Sequence, residues 1–210
     1  MALDLEEQEK VAELKAWWQM HGNRIVAVLV AAALAIAGWQ AWRWYQAAQT
    51  AGAGALYDAV ARAAATNDAK TLREASGALI QDYSGTLYAT MGALTAARFY
   101  FEQKDLKSAR VQLEWAVENS PSDDFRDLAR LRLAAVLLEE KSYDEALRQL
   151  EQEHAPAYDA QFAALRGDVL VAKNDLAQAR AAYKLALEKM DPGNAAFRES
   201  VRMRLEALGG

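Results

Sequence analysis

Few side chains in this 210-residue chain have the type and spacing that chemistry needs. The two histidines, His21 and His154, have no second ligand at i+4 and no neighbouring carboxylates in a metal-binding pattern. Asp123-Asp124 and Glu139-Glu140 are acidic pairs at expected helix ends, where solvated caps and turns are the ordinary use of such residues. Arg166-Gly167-Asp168 spells an adhesion tripeptide, but its glycine falls where two helices must approach closely, so it reads as structural. "AGAGAL" (51–56) has two glycines and no strand before it, which argues against a phosphate loop. No nucleophile elbow, P-loop or dinucleotide fingerprint occurs, and there is no cysteine for thiol or disulfide chemistry. The chain is therefore expected to have no catalytic residue, no metal and no cofactor, and not to be an enzyme.

The chemistry that remains is that of surfaces, and two elements present them. The first is "RIVAVLVAAALAIAGWQAWRWYQ" (24–46). Between Arg24 and Arg43 lie 18 uncharged residues. As a helix they cover about 27 Å, close to the hydrocarbon thickness of a bilayer. All faces from Ile25 to Gly38 are apolar, and Trp39, Trp42, Trp44 and Tyr45 crowd the exit, as interfacial aromatics do. Ala35-Ile36-Ala37 resembles a signal-peptidase site, but Asp4, Glu6, Glu7, Glu9 and Glu13 make the preceding segment acidic, against the basic start of a signal. A retained membrane helix over 25–45 is expected, after a short acidic segment (1–24). Lys10, Lys15 and Arg24 against Arg43 and Arg62 bias the N-terminus to the cytoplasm by one charge.

The second element is residues 46–210. With 24 basic and 29 acidic residues, net −5, the chain lacks the basic field that a nucleic-acid partner needs. Only three prolines interrupt its alanine-rich helical periodicity, so the fold class is all-α. "ALTAARFYFEQKDLKSARVQLEWAVENSP" (93–121) fits the tetratricopeptide pattern. Ala93, Ala96, Ala97 and Tyr100 take the first-helix positions, and Ala109, Leu113, Ala116 and Pro121 the second. Leu133, Ala134, Leu137, Ala146 and Leu150 repeat the pattern. So do Ala163, Gly167, Leu170, Ala179, Tyr183, Ala186 and the displaced Pro192. The marker alanines Ala75, Ala109, Ala146 and Ala179 are 34, 37 and 33 residues apart, near the 34-residue period. The Ala75 unit is degenerate, with Thr66 in the tyrosine position. Glu153 and Pro156 predict an early helix end and a loop, and 195–208 reads as a capping helix. The expected architecture is a transmembrane helix followed by a solenoid of three to four helical hairpins.

In such a solenoid the first helices of successive units line a concave face. The repeat register puts Met91, Leu94, Arg98 and Phe101 there from one unit. Leu128, Leu131, Ala135 and Leu138 come from the next, and Gln161, Ala164, Asp168 and Val171 from the last. Phe101 and Leu131 are expected at the centre of this partner-binding groove. Two alternatives stay open: the groove is free, or the first or last helix of the chain fills it.

The N-terminal "WWQMHGNRIVAVLVAAALAIAGWQAWRWYQ", "LYATMGALTAARFYFEQKDLKSARVQLEWAV" and "ALRGDVLVAKNDLAQARAAY" together resemble the YfgM family of bacteria. The resemblance implies an ancillary subunit of the SecYEG translocon, single-pass in the inner membrane, with a cytoplasmic N-terminus and a periplasmic domain. It also implies work beside a membrane-anchored isomerase-like chaperone, passing secreted proteins to other periplasmic chaperones. A cell-envelope assembly or division scaffold is the alternative, because repeat arrays of this type serve both.

Overall fold

The computed structural model describes residues 5–191 and 193–209. Among these residues nine α-helices and one short 3-10 turn occur, and no strand. Helix α1 (Leu5–Ala65) contains both the apolar segment and the first helix of the repeats. By contact the chain divides between Gln49 and Thr50. In the first part the apolar side chains face outward. Val28, Leu29, Leu34, Ile36 and Trp44 are all well exposed. In water that exposure is costly for every one of them. α1 is the one helix among the described residues that is long and apolar enough to cross a membrane.

The repeats follow as hairpins. The end of α1 pairs with α2 (Ala69–Asp82), α3 (Leu87–Glu102) with α4 (Leu106–Asn119), α5 (Asp123–Glu139) with α6 (Tyr143–Leu150), and α7 (Asp159–Ala172) with α8 (Leu176–Lys189). From α2 on, each helix packs on the next, and the first helices α3, α5 and α7 also touch in sequence. Helix α9 (Ala195–Ala207) packs on α8 and buries Val201 completely. Pro192 and residues 1–4 lie outside the described residues.

One turn is used four times. Asn67, Lys104, Lys141 and Asn174 hold φ between 56° and 63°, each at the bend between the two helices of a hairpin. The next residue's amide reaches back to the carbonyl of Ala63, Tyr100, Leu137 or Leu170, closing the first helix. That next residue also starts the second helix. The carboxylates of Asp68, Asp105 and Asp175 accept hydrogen bonds from amides of the new first turn. Ser142 occupies the same place without such a bond. The degenerate first hairpin therefore has the full turn, but its register corrects the expectation at Thr66: Ala63 stands where Tyr100 does, and Thr66, just before the turn, uses its hydroxyl on the Arg62 carbonyl.

Small residues let the helices meet. Ala97, Ala109, Ala134, Ala146 and Ala179 are at most 2% exposed, and Leu113, Leu133 and Leu137 fill the space between them. At Gly167 a Cβ would fall 2.3 Å from the Tyr183 ring, so only glycine admits that ring. Helix α6 stops at Leu150, half the usual length, and the chain runs as a loop to the 3-10 turn (Pro156–Tyr158). Buried Asp127 of α5 holds the loop by accepting from the Ala155 amide (2.9 Å), and Arg130 donates to the Glu153 carbonyl (3.0 Å).

Candidate functional site

The first helices bring one part of the expected groove together as an open cleft. Ala97, Arg98 and Phe101 of α3 face Arg132, Ala135 and Val136 of α5, with Leu113 of α4 beneath, around a volume of about 340 Å³. Ala97, Leu113 and Val136 form a buried floor, Phe101 and Ala135 are half-buried walls, and the two arginines stand exposed at the rim. The turn residues fix the register: Arg98, Ala135 and Asp168 are equivalent positions, each six before its turn residue. The cleft opens because the middle one is alanine, whose missing side chain leaves the space empty.

The arginines differ. Arg98 pairs with Glu102 at 2.7 Å along its own helix, and that hydrogen bond and charge raise its pKa. Arg132 has no hydrogen-bond or ion-pair partner among the described residues. Crowding by its neighbours, and then the charge of Arg98, hold its pKa below the usual arginine range. The position is equivalent to Thr95 and Leu165, one residue after the groove positions Leu94 and Leu131, and so falls between the positions that the repeat register assigns to the concave face. The signal was the arginine itself, set among leucines in "LARLRL".

The other groove positions are used differently. Leu94 is 4% exposed and belongs to the main core, where it packs with the alanines of α3 and α4. Leu128, Leu131 and Leu138 are half-buried and pack on that core outside the cleft lining, so Leu131 is not at its centre. Met91 is half-buried, and its carbonyl accepts from the Thr95 hydroxyl. Gln161 lines a separate recess of about 490 Å³ with Pro156, Lys189 and Phe197. Ala164 is buried.

In the last unit the chain fills its own face. Asp168 accepts from the Tyr183 hydroxyl (2.8 Å) and pairs with Arg204 of α9 (2.7 Å), while Val171 and Leu208 both pack against the cluster of Leu170, Ala179 and Ala182. Burial, then the hydrogen bond to Asp168, push the Tyr183 phenol far above its ordinary range, which keeps it a donor. The adhesion tripeptide is thus engaged internally. Of the two alternatives for the groove, each describes one part: filled at α7, open between α3 and α5.

Neither histidine stands near a metal-type cluster, and among the described residues no group of three or more such side chains occurs. His21 stacks on Trp17. His154 lies flat on Phe162 at 3.9 Å, with Nε2 3.4 Å from Asp159, an arrangement that the sequence did not reveal.

An all-α hairpin array with a membrane-type helix before it defines a class of anchored interaction proteins, and residues 15–210 match the tetratricopeptide repeat-like domain family. Relatives span the whole chain. The ancillary SecYEG translocon subunit of Neisseria gonorrhoeae is 32% identical over 213 residues, covering 99% of this chain and all of that protein. Those of Haemophilus influenzae (29%, with 99% and 100% covered) and Escherichia coli (23%, with 96% of each covered) agree. The chain belongs to the tetratricopeptide repeat-like domain family and to the family of these ancillary translocon subunits, YfgM. Proteins of this type are scaffolds, and the apolar part of α1 fits a membrane-anchored one.

Proposed function

We propose that this chain stands beside SecYEG in the inner membrane, N-terminus in the cytoplasm and repeats in the periplasm. There it holds partners in the cleft between α3 and α5 while secreted proteins pass to periplasmic chaperones. A membrane-anchored isomerase-like chaperone and other periplasmic chaperones are the partners it serves. The function is binding without catalysis. The observation that carries the reading is the open, apolar-floored cleft at Phe101 and Ala135, in a chain related along its length to translocon subunits. An exposed apolar recess of this sort marks a binding surface. The anchor makes a weak cleft sufficient, because linked sites reach effective concentrations of roughly millimolar.

Co-purification of the full chain in mild detergent tests this. SecYEG subunits should accompany the wild-type chain, and Ala135→Phe, which plugs the cleft, should reduce their recovery severalfold with helicity unchanged. Recovery of division or outer-membrane assembly components in place of SecYEG would instead favour the envelope-scaffold reading.

A further inference from the structure

Every arginine near the cleft except one has its charge answered. Arg98 has Glu102, Arg130 has Asp127, and Arg110 has Glu114, Glu140 and Glu145. Arg132 has none among the described residues, and it stands exposed at the rim of a cleft whose floor is apolar. The chain as a whole is acidic, so attraction of an acidic partner cannot come from its overall field and must be local to this rim. Beside the guanidinium lies an unfilled apolar hole over Ala135 and Val136. At about 340 Å³ it sits at the small end of ligand sites, which run from roughly 300 to 1,000 Å³. That is room for side chains, not for an extended cofactor.

Resting on the cleft as the binding site, we infer that it recognises a segment of a partner protein in which an acidic side chain adjoins a bulky apolar one. The carboxylate sits on Arg132, and the apolar group fills the hole over Ala135. A guanidinium presents a fork that matches a carboxylate, and the pairing gains strength at an apolar wall. One carboxylate is required, because Glu102 already occupies Arg98.

Fluorescence anisotropy on the full chain in phosphatidylcholine nanodiscs tests the inference, with empty nanodiscs as blank. The probes are labelled, acetylated and amidated peptides, Ser-Gly-Phe-Leu-Glu-Leu-Gly-Ser and its Gln and Lys counterparts. The Glu peptide should bind about tenfold tighter than the Gln peptide, equivalent to about 1.4 kcal/mol. Arg132→Gln should erase that difference, and Arg132→Glu should transfer the preference to the Lys peptide. Arg132 makes no bond to the fold, so these variants should keep wild-type helicity. Equal affinity of wild type for Glu and Gln peptides, a preference that survives Arg132→Gln, or binding of neither peptide would each overturn the inference. The two readings fail separately. Equal binding that Ala135→Phe abolishes leaves the cleft as the site and removes only the acidic requirement. Unchanged SecYEG recovery with Ala135→Phe removes the cleft itself.

Discussion

Replacing Gly167 and Gly77 by alanine should change stability in opposite directions. Both glycines lie inside helices, where alanine gains about 1 kcal/mol in intrinsic propensity. At exposed Gly77 of α2 a Cβ meets nothing within 4 Å, so Gly77→Ala should stabilise by about 0.5–1 kcal/mol. At Gly167 the new methyl would stand 2.3, 2.5 and 2.9 Å from three ring atoms of Tyr183, and the ring must retreat by about 1 Å to reach ordinary contact. Tyr183 is 2% exposed, so the ring can retreat only against its packed neighbours. Overpacking of this kind costs about 1–3 kcal/mol. Displacing the ring also breaks its hydrogen bond to Asp168, which costs about 1–2 kcal/mol after allowance for the partial exposure of that carboxylate. Less the propensity gain, Gly167→Ala should destabilise by roughly 1–4 kcal/mol. For a domain of this size that lowers Tm by roughly 2–4 °C for each kcal/mol. Thermal unfolding of the full chain in detergent, followed by far-ultraviolet circular dichroism, reads both changes. Tyr183→Phe isolates the hydrogen bond and should cost about 1 kcal/mol. The packing argument fails if Gly167→Ala is as stable as Gly77→Ala.

Three other outcomes follow from particular residues. Ser142→Asn should raise stability by about 0.5–1 kcal/mol, since it supplies the cap that Asp68, Asp105 and Asp175 make in the other hairpins; the Tm of the same unfolding curve measures it. Asp127→Ala should cost about 2–3 kcal/mol and release the loop after α6, because the Ala155 amide and Arg130 lose a buried acceptor. Hydrogen exchange should then quicken over residues 151–158 and stay slow in α3 and α4. Protein sequencing should find the mature N-terminus at residue 1 or 2, and a start at Gly38 would contradict a retained anchor.

Repeat architecture was legible because it is written in spacing. The turn segments carry a period that survives degeneracy at single positions: Ala109, Ala146 and Ala179 each stand five residues after their turn residue, whereas in the first unit that place belongs to Leu72 and not to the expected Ala75. The first hairpin shows this: it lacks the tyrosine, yet Asn67-Asp68 forms the same turn as Lys104-Asp105. The early end of α6 was legible from Glu153 and Pro156, but not its fastening, because Asp127 reaches the Ala155 amide across 28 positions of sequence. The groove was harder. A fixed register gives the direction of a side chain and says nothing of what stands opposite. Leu94 points toward a crowded core and Asp168 meets Arg204 from α9, whereas Ala135 faces nothing because it is small. Arg132 follows groove position Leu131 directly, between two assigned positions, so spacing alone does not single it out.

The central claim is that the cleft, and not merely the anchor, contacts the export machinery. Site-specific photocrosslinking in native membranes tests it most directly, with a photoreactive amino acid in place of Ala135 in the cleft or of Val111, an exposed residue of α4 outside the cleft lining. The account predicts adducts with a SecYEG subunit, or with a secreted chain in transit, from position 135 and not from position 111. Equal adducts from both positions, or adducts from 111 alone, would contradict it.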